Sequence, residues 1–90
     1  MIEMKSIVTG KVQGVRYRDY VQSVAGELGL VGCVQNNPDG TVYVVAQGEP
    51  DVLKNFVEYL YEGSVLSLVD TVSVEWATAE VTFDDFSVLQ

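Results

Sequence analysis

The sequence predicts an α+β fold, a two-layer sandwich in which two helices cover one face of an antiparallel sheet. Three observations predict it. Apolar and polar residues alternate in 2–9 and 71–76, and 30–36 and 41–47 read as two more strands either side of a turn, whereas apolar residues recur at helical spacing in 17–28 and 53–61. The order is therefore β-α-β-β-α-β, with a short extra C-terminal strand at Phe86 to Leu89. Each helix carries a single apolar stripe, which has to be buried against one sheet face. The arrangement is ferredoxin-like, and ninety residues suffice for one such domain over 1–90. Because the fold hosts many activities, function must be read from particular residues.

In the first strand Ile2, Met4, Ser6 and Val8 face one way and Glu3, Lys5, Ile7 and Thr9 the other. A glycine-bearing loop follows. The first helix, from about Arg18, carries Tyr17, Tyr20, Val21, Val24, Ala25 and Leu28 on one stripe, and Gly29 is placed to end it in the left-handed conformation. Gly26 costs this helix about 1 kcal/mol relative to Ala and is expected to permit a close approach. After the second strand, Asn37-Pro38-Asp39-Gly40 predicts a type I turn with a bulge, which puts Asn36 on a hairpin just before the bend. The third strand presents Val42, Val44 and Ala46 on one face. Pro50 and the acids around it suit the start of the second helix. Its stripe is Leu53, Phe56, Val57, Leu60 and Tyr61, and Gly63 stops it. A loop over 64–70 leads to a fourth strand with Val72, Val74 and Trp76 on one face.

Composition removes many chemistries. There is no histidine, so histidine acid–base catalysis and histidine metal sites are excluded, and one cysteine cannot build a cysteine zinc site. Cys33 also lacks the arginine six residues on that a cysteine phosphatase loop needs, since that position is Asp39. The glycine spacing misses the Walker phosphate loop: Gly10 and Gly14 are one residue too close, and Val15 follows. Asp84 and Asp85 are adjacent and would point to opposite sides of a strand, which reads as a solvated turn. No cofactor and no metal are expected. No apolar run approaches the roughly 18 residues of a membrane span, no secretory signal is visible, and a lone cysteine gives no disulfide framework. A cytoplasmic monomer is the expectation.

The formal charge of −8 disfavours nucleic acid and anionic membranes. Four of the five cations, Lys5, Lys11, Arg16 and Arg18, nevertheless lie within the first eighteen residues, around the loop Gly10-Lys11-Val12-Gln13-Gly14-Val15-Arg16-Tyr17-Arg18. A loop of this kind, running from a strand into a helix, can wrap an anion with its backbone N–H groups. Arg18, at the helix start, can hold two phosphoryl oxygens with its planar fork, or it can pair with a nearby carboxylate such as Asp19. Asn36 can accept from a water and donate to a substrate with one amide, or it can satisfy the hairpin turn. Arg16 either adds to the field of the loop or faces solvent.

Val8-x-Gly10-x-Val12-Gln13-Gly14-Val15-x-Tyr17-Arg18 resembles the first signature of the acylphosphatases, and Gly32-x-Val34-Gln35-Asn36, then Gly40-x-Val42 and Gly48, resembles the second. The resemblance implies metal-independent hydrolysis of small acyl phosphates to a carboxylate and inorganic phosphate. Arg18 matches the family's phosphate-binding catalytic arginine and Asn36 its water-orienting asparagine, with Gln13, Gly14, Val15, Arg16 and Tyr17 completing the phosphate-binding loop. A non-catalytic phosphate-binding module acting with another protein is the alternative, because acylphosphatase-like domains also occur inside larger proteins. Two positions depart from the family pattern. Tyr17 stands where Phe is usual and brings a hydroxyl that needs a partner. Cys33 stands where an aromatic is usual, and the lost volume is expected to leave a gap beside Asn36 that costs about 2–5 kcal/mol unless neighbours fill it.

Overall fold

Strand β1 (Ile2–Lys11) is the longest strand and the one the sheet is built on. In the computed structural model, which describes residues 1–89, it is followed by α1 (Tyr17–Glu27), β2 (Val31–Asn36), β3 (Val42–Gly48), α2 (Pro50–Glu62), β4 (Leu68–Val72), β5 (Glu75–Thr78) and β6 (Phe86–Leu89). The sheet order is β4-β1-β3-β2-β6, with β5 also on β1. β1 pairs antiparallel with β3, from Ile2 opposite Gly48 to Val8 opposite Val42. Its other edge holds β4 along the C-terminal half and β5 along the N-terminal half.

The alternation of the strands decides what the helices cover. Met4 and Val8 of β1, Val34 of β2, and Val42, Val44 and Ala46 of β3 are fully buried, and they form one core with Val21 and Ala25 of α1 and Leu53, Phe56 and Leu60 of α2. α1 ends as expected. Gly29 takes φ +72°, its amide bonds to the Gly26 carbonyl, and the Leu30 amide reaches back to Ala25 at 2.9 Å, which satisfies two of the last carbonyls of the helix. The hairpin bend also forms as expected, with Asn37 N donating to Thr41 O at 2.9 Å and Gly40 N to Asn37 O at 3.2 Å.

Several expectations need correction. The sheet is not wholly antiparallel: β6 lies parallel to β2, because the chain crosses the sheet's open face through 79–85 before it pairs. The fourth strand is interrupted, and it begins earlier than expected, at Leu68 inside the presumed loop. At the break Ser73 substitutes for ladder pairing: its amide donates to Ile7 O at 3.0 Å and its hydroxyl accepts from Ile7 N at 2.9 Å. Trp76 and Tyr61 are exposed rather than in the core. Gly26 faces open space, so the close approach expected there does not occur.

Candidate active site

The site begins with the backbone of the β1–α1 loop. Gly14 has φ +74° and Arg16 has φ +61°, while Val15 and Tyr17 do not share the positive sign. Alternation of this kind turns successive N–H groups toward one side and makes a concave anion cradle. Arg16 is the helix N-cap, in the left-handed conformation and without a side-chain cap bond, so the first amides of α1 add to the cradle. A left-handed non-glycine residue costs about 1–2 kcal/mol, and both neighbours of Arg16 hold it there. Val15 is buried in the core and its carbonyl accepts from Ser64 Oγ at 3.2 Å. The Tyr17 ring is buried and its hydroxyl donates to Leu60 O at 2.7 Å.

A cleft of about 230 Å³ opens over this loop, lined by Val12, Gly14, Arg16, Tyr17, Arg18, Asp19 and Asn36. Arg18 is half-buried, and its Nη1 donates to the Leu89 carbonyl of β6 at 2.8 Å. That bond uses one of five guanidinium donors and orients the plane. Among the described residues Arg18 makes no ion pair with Asp19, so the carboxylate alternative is not realised. Asn36 ends β2 opposite Val42, and the strand's alternation puts it on the same side as Val34, the helix side. Its Oδ1 is buried without a hydrogen-bond partner. The hairpin does not use it: Asn37 Nδ2 bonds Thr41 Oγ1 at 3.0 Å, and Asp39 accepts from Thr41 N and Oγ1. Those two Thr41 bonds hold the Asp39 carboxyl below its ordinary pKa. The arrangement can therefore bind a tetrahedral dianion on amides and a guanidinium, with an unspent acceptor beside it.

Residues 4–88 match the Acylphosphatase family model. The chain is 48% identical to an acylphosphatase of Marinobacter nauticus over 89% of its length and 87% of the relative's. It is 43% identical to one of Methanococcoides burtonii, covering 90% of this chain and 84% of that one. The crystal structure of acylphosphatase from Bacillus subtilis superposes with a TM-score of 0.97 at 37% identity, over the whole of both chains. The chain belongs to the acylphosphatase family. Acylphosphatases are hydrolases acting on acid anhydrides, and the activity carried by this membership is hydrolysis of small acyl phosphates with release of phosphate.

Of the two departures from the acylphosphatase pattern, Tyr17 behaves as expected and Cys33 does not. The extra hydroxyl of Tyr17 has found its partner in Leu60 O, and burial raises its pKa well above the ordinary phenol range. Cys33 leaves no gap beside Asn36, because the two lie on opposite faces of β2. Cys33 faces away from the helices, next to Tyr43, Val45, Val81 and Phe83 in an open cleft of about 560 Å³. Burial and the nearby Glu3 carboxylate raise its thiol pKa, which makes it a poor nucleophile.

Gln13 also differs. Its side chain turns away from the anion cleft and crosses to the hairpin, where Nε2 donates to Asn37 O at 2.8 Å and Thr41 O at 2.9 Å. Nothing in the local sequence signals this brace, since its acceptors are backbone atoms of a distant turn. Of the clustered cations only Arg16 and Arg18 line the cleft. Lys5 sits 3.9 Å from Glu3 on the other sheet face, and Lys11 is exposed at the end of β1. Among the described residues no group of three or more His, Cys, Asp or Glu is arranged to hold a metal ion, and no helix is long and apolar enough to cross a membrane.

Proposed function

We propose that the hydrolysis runs on Arg18, the 13–18 backbone amides and Asn36, without a metal. The phosphoryl group sits in the cradle, with Arg18 holding two of its oxygens. Asn36 Oδ1 accepts a hydrogen bond from a water and aims its oxygen at phosphorus. As the water oxygen bonds to phosphorus, the bond from phosphorus to the acyl oxygen breaks and the carboxylate leaves with the electron pair. The water's proton passes to a phosphoryl oxygen. A carboxylate is a good leaving group, so positioning and charge stabilisation suffice. The observation that carries the reading is the buried, unpartnered Asn36 Oδ1 in the same small cleft as Arg18; a buried acceptor left without a donor costs about 1–3 kcal/mol.

The test is hydrolysis of benzoyl phosphate with a chelator present. Arg18→Ala is expected to lose about a thousandfold in kcat/KM and to weaken phosphate binding, whereas Asn36→Ala loses about a hundredfold in kcat with phosphate affinity kept. Activity abolished by the chelator, or near-normal rates in Arg18→Ala, would overturn it. Phosphate-induced thermal stabilisation without any turnover would favour the binding-module reading.

A further inference from the structure

A second opening, of about 580 Å³, adjoins the anion cleft. Arg16 and Asp19 line both, so the two are contiguous through one shared wall. The other large clefts share no lining residue with the anion cleft: one lies at the far end of the sheet by Leu30 and Pro50, the other on its open face by Cys33.

The surface of this second opening is apolar and short of free hydrogen-bonding groups. Val15 and Tyr20 line it. The Tyr20 hydroxyl is already committed to Tyr59 O at 2.8 Å, and Ser64 Oγ to Val15 O. Val65 is fully exposed and Leu66 is 65% exposed, on the loop that follows Gly63. Apart from Arg16, its charges are the carboxylates Asp19 and Glu62.

We propose that this opening receives the acyl group, and that it selects uncharged apolar acyl groups over those bearing a second negative charge. The proposal rests on the loop holding the phosphoryl group. With that end fixed in the cradle, the acyl chain leaves past Arg16, over the apolar wall. Burial against Val65, Leu66 and Tyr20 favours an apolar chain, and Asp19 and Glu62 repel a terminal carboxylate or phosphate.

The experiment compares kcat/KM for acetyl, butanoyl, benzoyl and succinyl phosphates. Benzoyl phosphate is expected to exceed acetyl phosphate by about tenfold, chiefly through KM, and succinyl phosphate to fall several-fold below butanoyl phosphate. In V65S/L66S, two exposed positions whose exchange leaves the core intact, the benzoyl-to-acetyl ratio falls to within about twofold. In Glu62→Lys the succinyl-to-butanoyl ratio rises. A wild-type enzyme with equal kcat/KM for all four, or a benzoyl preference that survives in the double variant, overturns the acyl proposal alone. A protein that hydrolyses none of them overturns the catalytic reading and this one with it.

Discussion

Two helices start in this molecule, and only one of the two starts is a candidate anion site. α2 begins at an extended Glu49, with Pro50 at its first position and Asp51 in its first turn. The proline removes one of the free N–H groups, and the two carboxylates answer the positive end of the helix from within the chain. α1 begins at a left-handed Arg16 with no side-chain cap, and one carboxylate, Asp19, stands against two arginines. The cleft by α2 is the larger, about 410 Å³ against 230 Å³, and is lined mainly by apolar side chains such as Ile2, Leu30 and Val52. A helix dipole therefore does not by itself distinguish the two starts. What matters is whether the chain has already satisfied that helix end.

The largest expected effect comes from reversing the contrast. Arg18→Glu should abolish phosphate-induced thermal stabilisation and cut hydrolysis by at least about a thousandfold. Asp51→Lys, at the other helix start, should leave both unchanged within about twofold. If Asp51→Lys created a phosphate site, the dipole alone would be enough and the comparison would break.

Next is the brace between loop and hairpin. Gln13→Ala frees two carbonyls that hold the turn carrying Asn36, so kcat should fall about tenfold while phosphate affinity stays near wild type. Gln13→Glu should not rescue it, because a carboxylate cannot donate to Asn37 O and Thr41 O. Equal losses of kcat and phosphate affinity would instead mark Gln13 as part of the cradle.

A smaller effect concerns the anchor of the loop. Tyr17→Phe leaves Leu60 O without its donor and should cost about 1 kcal/mol in denaturant unfolding at neutral pH. Its pH dependence has a definite sign. The folded pKa of Tyr17 is raised, so its contribution is fully present below the unfolded value of about 10 and is lost as pH rises beyond it. The wild type should therefore lose stability above about pH 10 more steeply than Tyr17→Phe. Smallest of all, Gly26→Ala lies on an exposed helix face away from both helix starts, with room for a Cβ. It should stabilise by about 0.5–1 kcal/mol without moving kcat.

Much of the fold was legible because it depends on local pattern. Met4 and Val8, Val42 and Val44, and Leu53, Phe56 and Leu60 are buried as their spacing requires. The misreadings fall where pairing partners decide. Trp76 keeps the alternation of a half-buried strand, but it sits on an edge strand that the helices do not cover. β6 looks like any short strand, and its parallel direction follows only from where the chain re-enters the sheet. Cys33 and Asn36 are close in sequence, yet the pleat sends them to opposite faces.

For the candidate site, the sequence by itself determined the chemistry on offer: two arginines, glycines able to turn a loop, an asparagine before a bend, and no histidine. Residue type and short-range spacing suffice for that, because they act within one loop or one turn. Only the tertiary structure decided how those parts meet. It seats Arg18 against Leu89, leaves Asn36 Oδ1 without a partner in the same cleft, and ties Gln13 to the hairpin. It also holds Arg16 in the left-handed conformation from both sides. The physical reason is that each of these contacts joins segments distant in the chain, and packing of the whole sheet and both helices sets their separation.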